Sequence, residues 1–172
     1  MRQAARAAKL HDATRQEMRM RIMRIIVPVD GSEPAKRATA MAAGLAAPAG
    51  AACVLVHVRT RFGADIVPEE LVSLEHAEHL RITEESMLAA ASERILSDAE
   101  ALARAAGAAR IEKVTEFGDP ATRILEVAAR DGGPGSMIAM GRRGLGRIGR
   151  LLMGSVSTKV AQLATQPCLV VP

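Results

Sequence analysis

The chain has no tryptophan and no tyrosine, and its only aromatic rings are Phe62 and Phe117. A surface so poor in flat side chains offers no platform for stacked bases, which argues against RNA or single-strand binding. The interior must instead be packed with small aliphatic groups: 49% of residues are hydrophobic, and alanine supplies much of that. Only two cysteines occur, Cys53 and Cys168, both in predicted strands. Reduced, buried thiols in a cytoplasmic protein are the default reading. The first residues lack an apolar core, so no signal peptide is expected. One nearly uncharged stretch, Ala38 to Val58, is long enough to suggest a membrane span. Pro48 and Gly50 interrupt it and its first half is mostly alanine, so it reads as a helix end, a turn and a strand.

Acidic residues are also missing in one place: no Asp or Glu occurs between Gly132 and Pro172. The formal charge of the whole chain is +4. Residues 1–24 hold seven basic side chains against Asp12 and Glu17, a net +5, so the remainder is net −1. The basicity therefore belongs to an N-terminal arm, residues 1–23, and to a local cluster near the C-terminus. That distribution does not describe a nucleic-acid-binding body. The arm is expected to be a flexible, dispensable tail or a marginal helix, followed by one domain over residues 24–172.

What is present near the C-terminus is Gly141-Arg142-Arg143-Gly144, followed after nine residues by Gly154-Ser155. The apolar run Met137 to Met140 before it is short and bounded by glycine, as a buried strand would be. After it, Ser155 is expected to cap a helix carrying Val156, Val160, Leu163 and Ala164 on one face. A strand, a glycine-rich loop and a helix N-terminus in this order aim backbone N–H groups and a positive dipole end at one point, where an anion belongs. Glycine there permits positive φ and keeps no Cβ between backbone and ligand. Arg142, Arg143, Arg147 and Arg150 add positive charge.

Two other motifs nearly fit. Gly144 to Gly149 spells G-x-G-x-x-G, but it does not open the first βα unit and no acidic residue follows about 20 positions later. Gly149 to Ser155 begins like a P-loop, but Ser155 stands where the lysine should be.

The spacing Gly-x2-Gly-x9-Gly-Ser resembles the nucleotide-binding signature of the universal stress protein family, in its ATP-binding branch. Ile25-Ile26-Val27-Pro28-Val29-Asp30-Gly31-Ser32 resembles the family's opening strand and turn, Val54 to Val58 its second strand, and Pro167 to Pro172 its closing strand. The match spans Arg24 to Pro172. The resemblance implies a Rossmann-like, adenine nucleotide alpha hydrolase-like α/β fold, with a five-stranded parallel sheet of order 3-2-1-4-5 between four helices. That order would set Cys53 and Cys168 well apart. It implies adenine nucleotide, ATP or else AMP or ADP, with Mg2+ bridging phosphates. Pro28, Val29 and Asp30 would lie against the nucleotide, with Val58 and Met140 at the base. Gly141, Gly144, Gly154, Ser155, Val156 and Ser157 would line the phosphates and ribose, and Arg143 occupies a motif position that contacts nucleotide in relatives.

The residues along the chain agree with alternating strands and helices. A strand from Arg24 to Val29 leads to Ser32, which can cap a helix with Ala35, Ala38, Ala42 and Leu45 on one face. Asp30 at a strand end suits a ligand mouth, and an Asp before Gly is equally a good turn former. A strand over Ala52–Val58 precedes a weakly periodic segment, then a long helix with Leu88, Ala91, Ile95, Ala99 and Leu102 in one stripe that ends at Gly107. His76 and His79 share a helical face, but no third ligand supports a metal site. A third strand over Arg110–Phe117 leads to Asp119-Pro120, a cap and first-turn pair, and a helix with Ile124, Leu125 and Ala128 inward.

Phosphoryl transfer needs a positioned nucleophile, metal ligands and charge stabilisation, and only the last is evident. The reading is therefore an ATP-binding, nucleotide-dependent regulator, with no catalytic residue named. A slow ATPase or autophosphorylating protein and an interaction module without nucleotide are the alternatives. The apolar Leu169 to Val171 would form an edge strand that needs cover, and a homodimer through it is expected.

Overall fold

A computed structural model describes residues 22–60, 74–133, 135–145 and 153–172, with residues 74–84 described as helix backbone only. The arm over residues 1–21, Arg147, Arg150 and the side chains of His76 and His79 lie outside the described residues. The elements alternate: β1 (Arg24–Pro28), α1 (Glu33–Ala49), β2 (Ala52–Arg59), α2 (Leu74–Ala105), β3 (Arg110–Phe117), α3 (Pro120–Gly132), β4 (Ser136–Gly141), α4 (Ser155–Leu163) and β5 (Cys168–Val171). The five strands form one parallel sheet in the order β3-β2-β1-β4-β5, as expected.

Helices cover both faces. Ile25, Val27, Cys53 and Leu55 pack with Ala42, Ala43 and Ala46 of α1 and Leu96, Ala99 and Ala103 of α2. Ile26, Val54, Val56, Ile138 and Met140 pack with Ala121, Ile124, Val127 and Ala128 of α3 and Val160 of α4. Central strands buried on both sides must be continuously apolar, which is why β1 and β2 read Ile-Ile-Val and Cys-Val-Leu-Val without alternation. The alanines of α1 let the helix sit close to the sheet, so the near absence of aromatics is offset by short interlayer distances. Burying each large side chain such as Ile25 or Leu55 contributes about 1.5–3 kcal/mol.

The inward faces differ from simple periodicity in three places. Leu45 of α1 and Leu163 of α4 are 40% and 60% exposed. Ala91 of α2 is exposed, and the buried face passes instead through Ser92, Leu96, Ala99 and Ala103. A long amphipathic helix drifts across its contact line, so a stripe read from one end misses the face at the other. Pro48 does not end α1, which continues to Ala49 and closes at Gly50 in the left-handed region (φ 63°). Cys53 on β2 and Cys168 on β5 are free, and β1 and β4 lie between their strands. Three strand spacings, about 14 Å, exceed the reach of a disulfide. Burial pushes the Cys53 thiol up to about 11.

Candidate functional site

Strand order reverses between β1 and β4, because β1 connects outward to β2 while β4 connects the other way to β5. A cleft opens beyond the carboxyl ends at such a switch point. Here it is a cavity of about 320 Å³. All twelve residues singled out in the sequence line it: Pro28, Val29 and Asp30 from the end of β1, Val58 from β2, Met140, Gly141, Arg143 and Gly144 from β4 and its loop, and Gly154, Ser155, Val156 and Ser157 from the start of α4. Six further residues complete the wall: Ala35, Val56, Pro120, Ile124, Leu145 and Met153. Val56 is two positions before Val58 on the same strand face, a signal that was available in the sequence. The contributions of α3, Pro120 and Ile124, depend on packing that no local pattern encodes.

The wall formed by β1 and β2 is fixed by backbone pairing. Val29 N–H donates to Val56 O at 2.8 Å, and His57 Nδ1 lies 2.8 Å from Val29 O. His57 thus ties the ends of β2 and β1 together. Asp30 follows with both oxygens engaged: Oδ1 accepts from the Ser32 amide at 3.0 Å and Oδ2 from the Leu145 amide at 3.1 Å. One residue thus holds the turn into α1 and lines the cavity.

On the opposite wall the cap of α4 is Gly154, not Ser155, and no side chain satisfies it. Ser155 is the first helical residue and its hydroxyl is exposed. Among the described residues, no group accepts from the amides of Ser155, Val156 and Ser157; the first intrahelical bond is Thr158 N–H to Gly154 O at 2.9 Å. Three unpartnered donors at a dipole's positive end line the cavity. The Gly154 amide is already committed to Arg142 O at 2.9 Å. The Ser157 hydroxyl lies 2.8 Å from Arg142 O and 3.0 Å from Gly154 O and donates to this pair. Ser157 is only 4% exposed, and a hydroxyl on a buried residue takes a nearby carbonyl.

The glycines are required for a reason other than positive φ, which none of Gly141, Gly144 and Gly154 adopts. A Cβ on Gly141 would sit 2.7 Å from the Pro34 carbonyl carbon and 2.8 Å from the Ala35 nitrogen. One on Gly144 would overlap Asp30 Oδ2. One on Gly154 would meet only contacts of 3.4–3.5 Å. Gly141 and Gly144 serve close approach of protein to protein, whereas a Cβ on Gly154 would make ordinary van der Waals contacts.

Among the described lining residues, Asp30 carries the only negative charge and Arg143 the only positive one. No group of three or more His, Cys, Asp or Glu that could hold a metal ion occurs among the described residues. No described helix is long and apolar enough to cross a membrane. The neighbouring helix α3 is capped by Asp119, whose Oδ1 accepts from the Thr122 amide at 2.9 Å and from Lys159 Nζ of α4 at 2.9 Å. The Thr122 hydroxyl first, then the Lys159 ammonium, hold the Asp119 carboxyl well below the usual carboxylate range.

A universal stress protein of Thermus aquaticus, encoded in the 3′ region of a sulfhydrylase gene, is 35% identical over 147 residues, covering 86% of this chain and 96% of its own. UspA from Lactobacillus plantarum has the same fold, with a TM-score of 0.70 at 21% identity, over 88% of this chain and 99% of its own. The universal stress protein of Archaeoglobus fulgidus, solved in complex with dAMP, superposes with a TM-score of 0.59 at 22% identity, over 87% of this chain and 98% of its own. The family model described as "Universal stress protein family" matches residues 21–172, and the chain belongs to that family.

Proposed function

We propose that this protein binds ATP in the cavity between β1 and β4 and acts as a nucleotide-dependent regulator in the stress response. The observation that carries the reading is the unpartnered amides of Ser155, Val156 and Ser157 beside an apolar pocket. The phosphates belong at the amides, and the base belongs between Val29, Val58 and Met140, which supply aliphatic walls in place of aromatic stacking. AMP and ADP fit the same arrangement with fewer phosphates. A bridging Mg2+ would take its ligands from phosphate and water, since both Asp30 oxygens already accept protein amides. The same engagement takes Asp30 out of play as a general base, and binding is what the described residues support. A nucleotide complex of the Archaeoglobus relative supports the class of ligand.

A homodimer completes the reading. The β3 edge carries Arg110, Glu112, Lys113 and Glu116, which discourage pairing, whereas Cys168–Val171 of the β5 edge is uncharged. Arg37 of α1 reaches the carbonyl of Pro172 at 2.7 Å, so Met41 and Leu45, one and two turns on and 48% and 40% exposed, flank that edge. On this reading residues 24–172 are the domain and residues 1–23 a dispensable arm, and two thiols set too far apart to pair support a reducing cytoplasm.

Mass spectrometry of nucleotide released from the purified protein tests this, beside calorimetric titration of stripped wild type and Gly154→Val. ATP recovered, with binding lost in the variant, supports it. Metal-dependent ADP release abolished by Gly154→Val would convert the protein into a slow ATPase. No nucleotide and no heat would leave the cavity as architecture only.

A further inference from the structure

Lys159 sits one helical turn after Ser155, on the α4 face between Ser155 and Val156, both of which line the cavity. Helical side chains lean toward the N-terminus, so its ammonium is carried back toward the cavity rim. There it meets Asp119 Oδ1 at 2.9 Å and lies 3.5 Å from the Thr122 hydroxyl. Asp119 in turn precedes Pro120, a residue of the cavity wall. The ion pair thus bridges the two helix starts that flank the mouth. Both side chains are about half exposed, 48% for Lys159 and 55% for Asp119. An exposed pair of this kind is weak and easily exchanged for a stronger anion.

We propose that Lys159 is a phosphate ligand held in reserve by Asp119: in the empty protein it pairs with the carboxylate, and a nucleoside polyphosphate draws the ammonium across the rim onto its outer phosphates. This rests on the nucleotide-binding reading above. A flexible four-carbon stem with three rotatable donors allows the move without backbone change. Asp119 keeps its cap on α3 throughout, since the Thr122 amide still donates to it. The arrangement selects for ligand charge. A nucleoside gains nothing from the exchange, a monophosphate little, and a triphosphate places most charge where Lys159 can reach. Asp119 then acts as the competitor that sets how much charge a ligand must bring.

The full chain, stripped of ligand, is titrated with adenosine, AMP and ATP as wild type, Lys159→Met, Lys159→Arg and Asp119→Asn. Asn caps a helix as well as Asp and removes only the competing charge. Lys159→Met is expected to weaken ATP about tenfold beyond any effect on adenosine, Lys159→Arg to restore most of that loss, and Asp119→Asn to tighten ATP. Equal losses for adenosine and ATP in Lys159→Met, or weaker ATP binding in Asp119→Asn, would overturn the proposal and leave the pair as a structural strut. Inorganic tripolyphosphate, followed by thermal shift, separates the two readings. If adenosine compounds fail and tripolyphosphate binds with the same order of variants, Lys159 keeps its role and the nucleotide reading falls. If neither binds, both fall.

Discussion

Asp30 Oδ2 accepts the amide of Leu145 at 3.1 Å, a bond between residues 115 positions apart that fastens the exit of β4 to the end of β1. Its other oxygen holds the turn into α1. Asp30→Ala removes both bonds, and the expected loss is about 1–2 kcal/mol, moderated by partial exposure. Urea unfolding reads it as a lower midpoint with unchanged slope. An unchanged midpoint would mean that the loop is held without the carboxylate.

Two glycines of the same signature should respond oppositely. Gly141→Ala drives a Cβ into the backbone of Pro34 and Ala35 at 2.7–2.8 Å and is expected to cost about 1–3 kcal/mol. Gly154→Ala meets nothing nearer than 3.4 Å at φ −73°, so its melting temperature should stay close to wild type. Matching melting curves for the two variants would contradict the packing argument.

Acid should act through Asp119. Its folded pKa is depressed, so the carboxylate contributes stability that is complete above the unfolded value near 3.9 and is lost as pH falls toward the folded one. Asp119→Ala is therefore expected to be less stable than wild type at pH 7, with the gap narrowing as the pH drops below about 4. Parallel denaturation series from pH 7 to pH 2.5 would show it, and a gap independent of pH would assign the effect to packing.

Pairing through β5 can be blocked without touching the sheet. Ile138 N–H donates to Pro167 O at 2.9 Å and Arg142 N–H to Val171 O at 2.6 Å, so alternation turns the amides of Cys168 and Val170 away from β4. Val170→Pro removes one outward donor and keeps the β4 ladder. Light scattering should find wild type dimeric and the variant monomeric. A monomeric wild type would end the dimer reading.

The alternation of elements was legible because each segment has its own signature, a buried run, a cap or a glycine spacing, whereas strand order and twelve of the cavity-lining residues were implied by the family resemblance that those segments carry. What was not legible is what those segments do to one another. Pro120 and Ile124 enter the wall because α3 packs beside α4, and Leu145 because Asp30 pulls its amide inward. The bond of the Ser157 hydroxyl has no local signature either, since the carbonyl that takes its proton belongs to Arg142, fifteen residues away. Lys159 has no local signature, because its partner Asp119 stands 40 positions away at the start of another helix.

Arg142 O receives both the Gly154 amide and the Ser157 hydroxyl, which knots the exit of β4 to the entry of α4. Closing a chain segment at its ends costs little more as it lengthens, about 0.6 kcal/mol for each doubling. The two bonds to Arg142 O, and not the number of residues between the second and third glycines of the signature, then hold the helix start against the exit of β4.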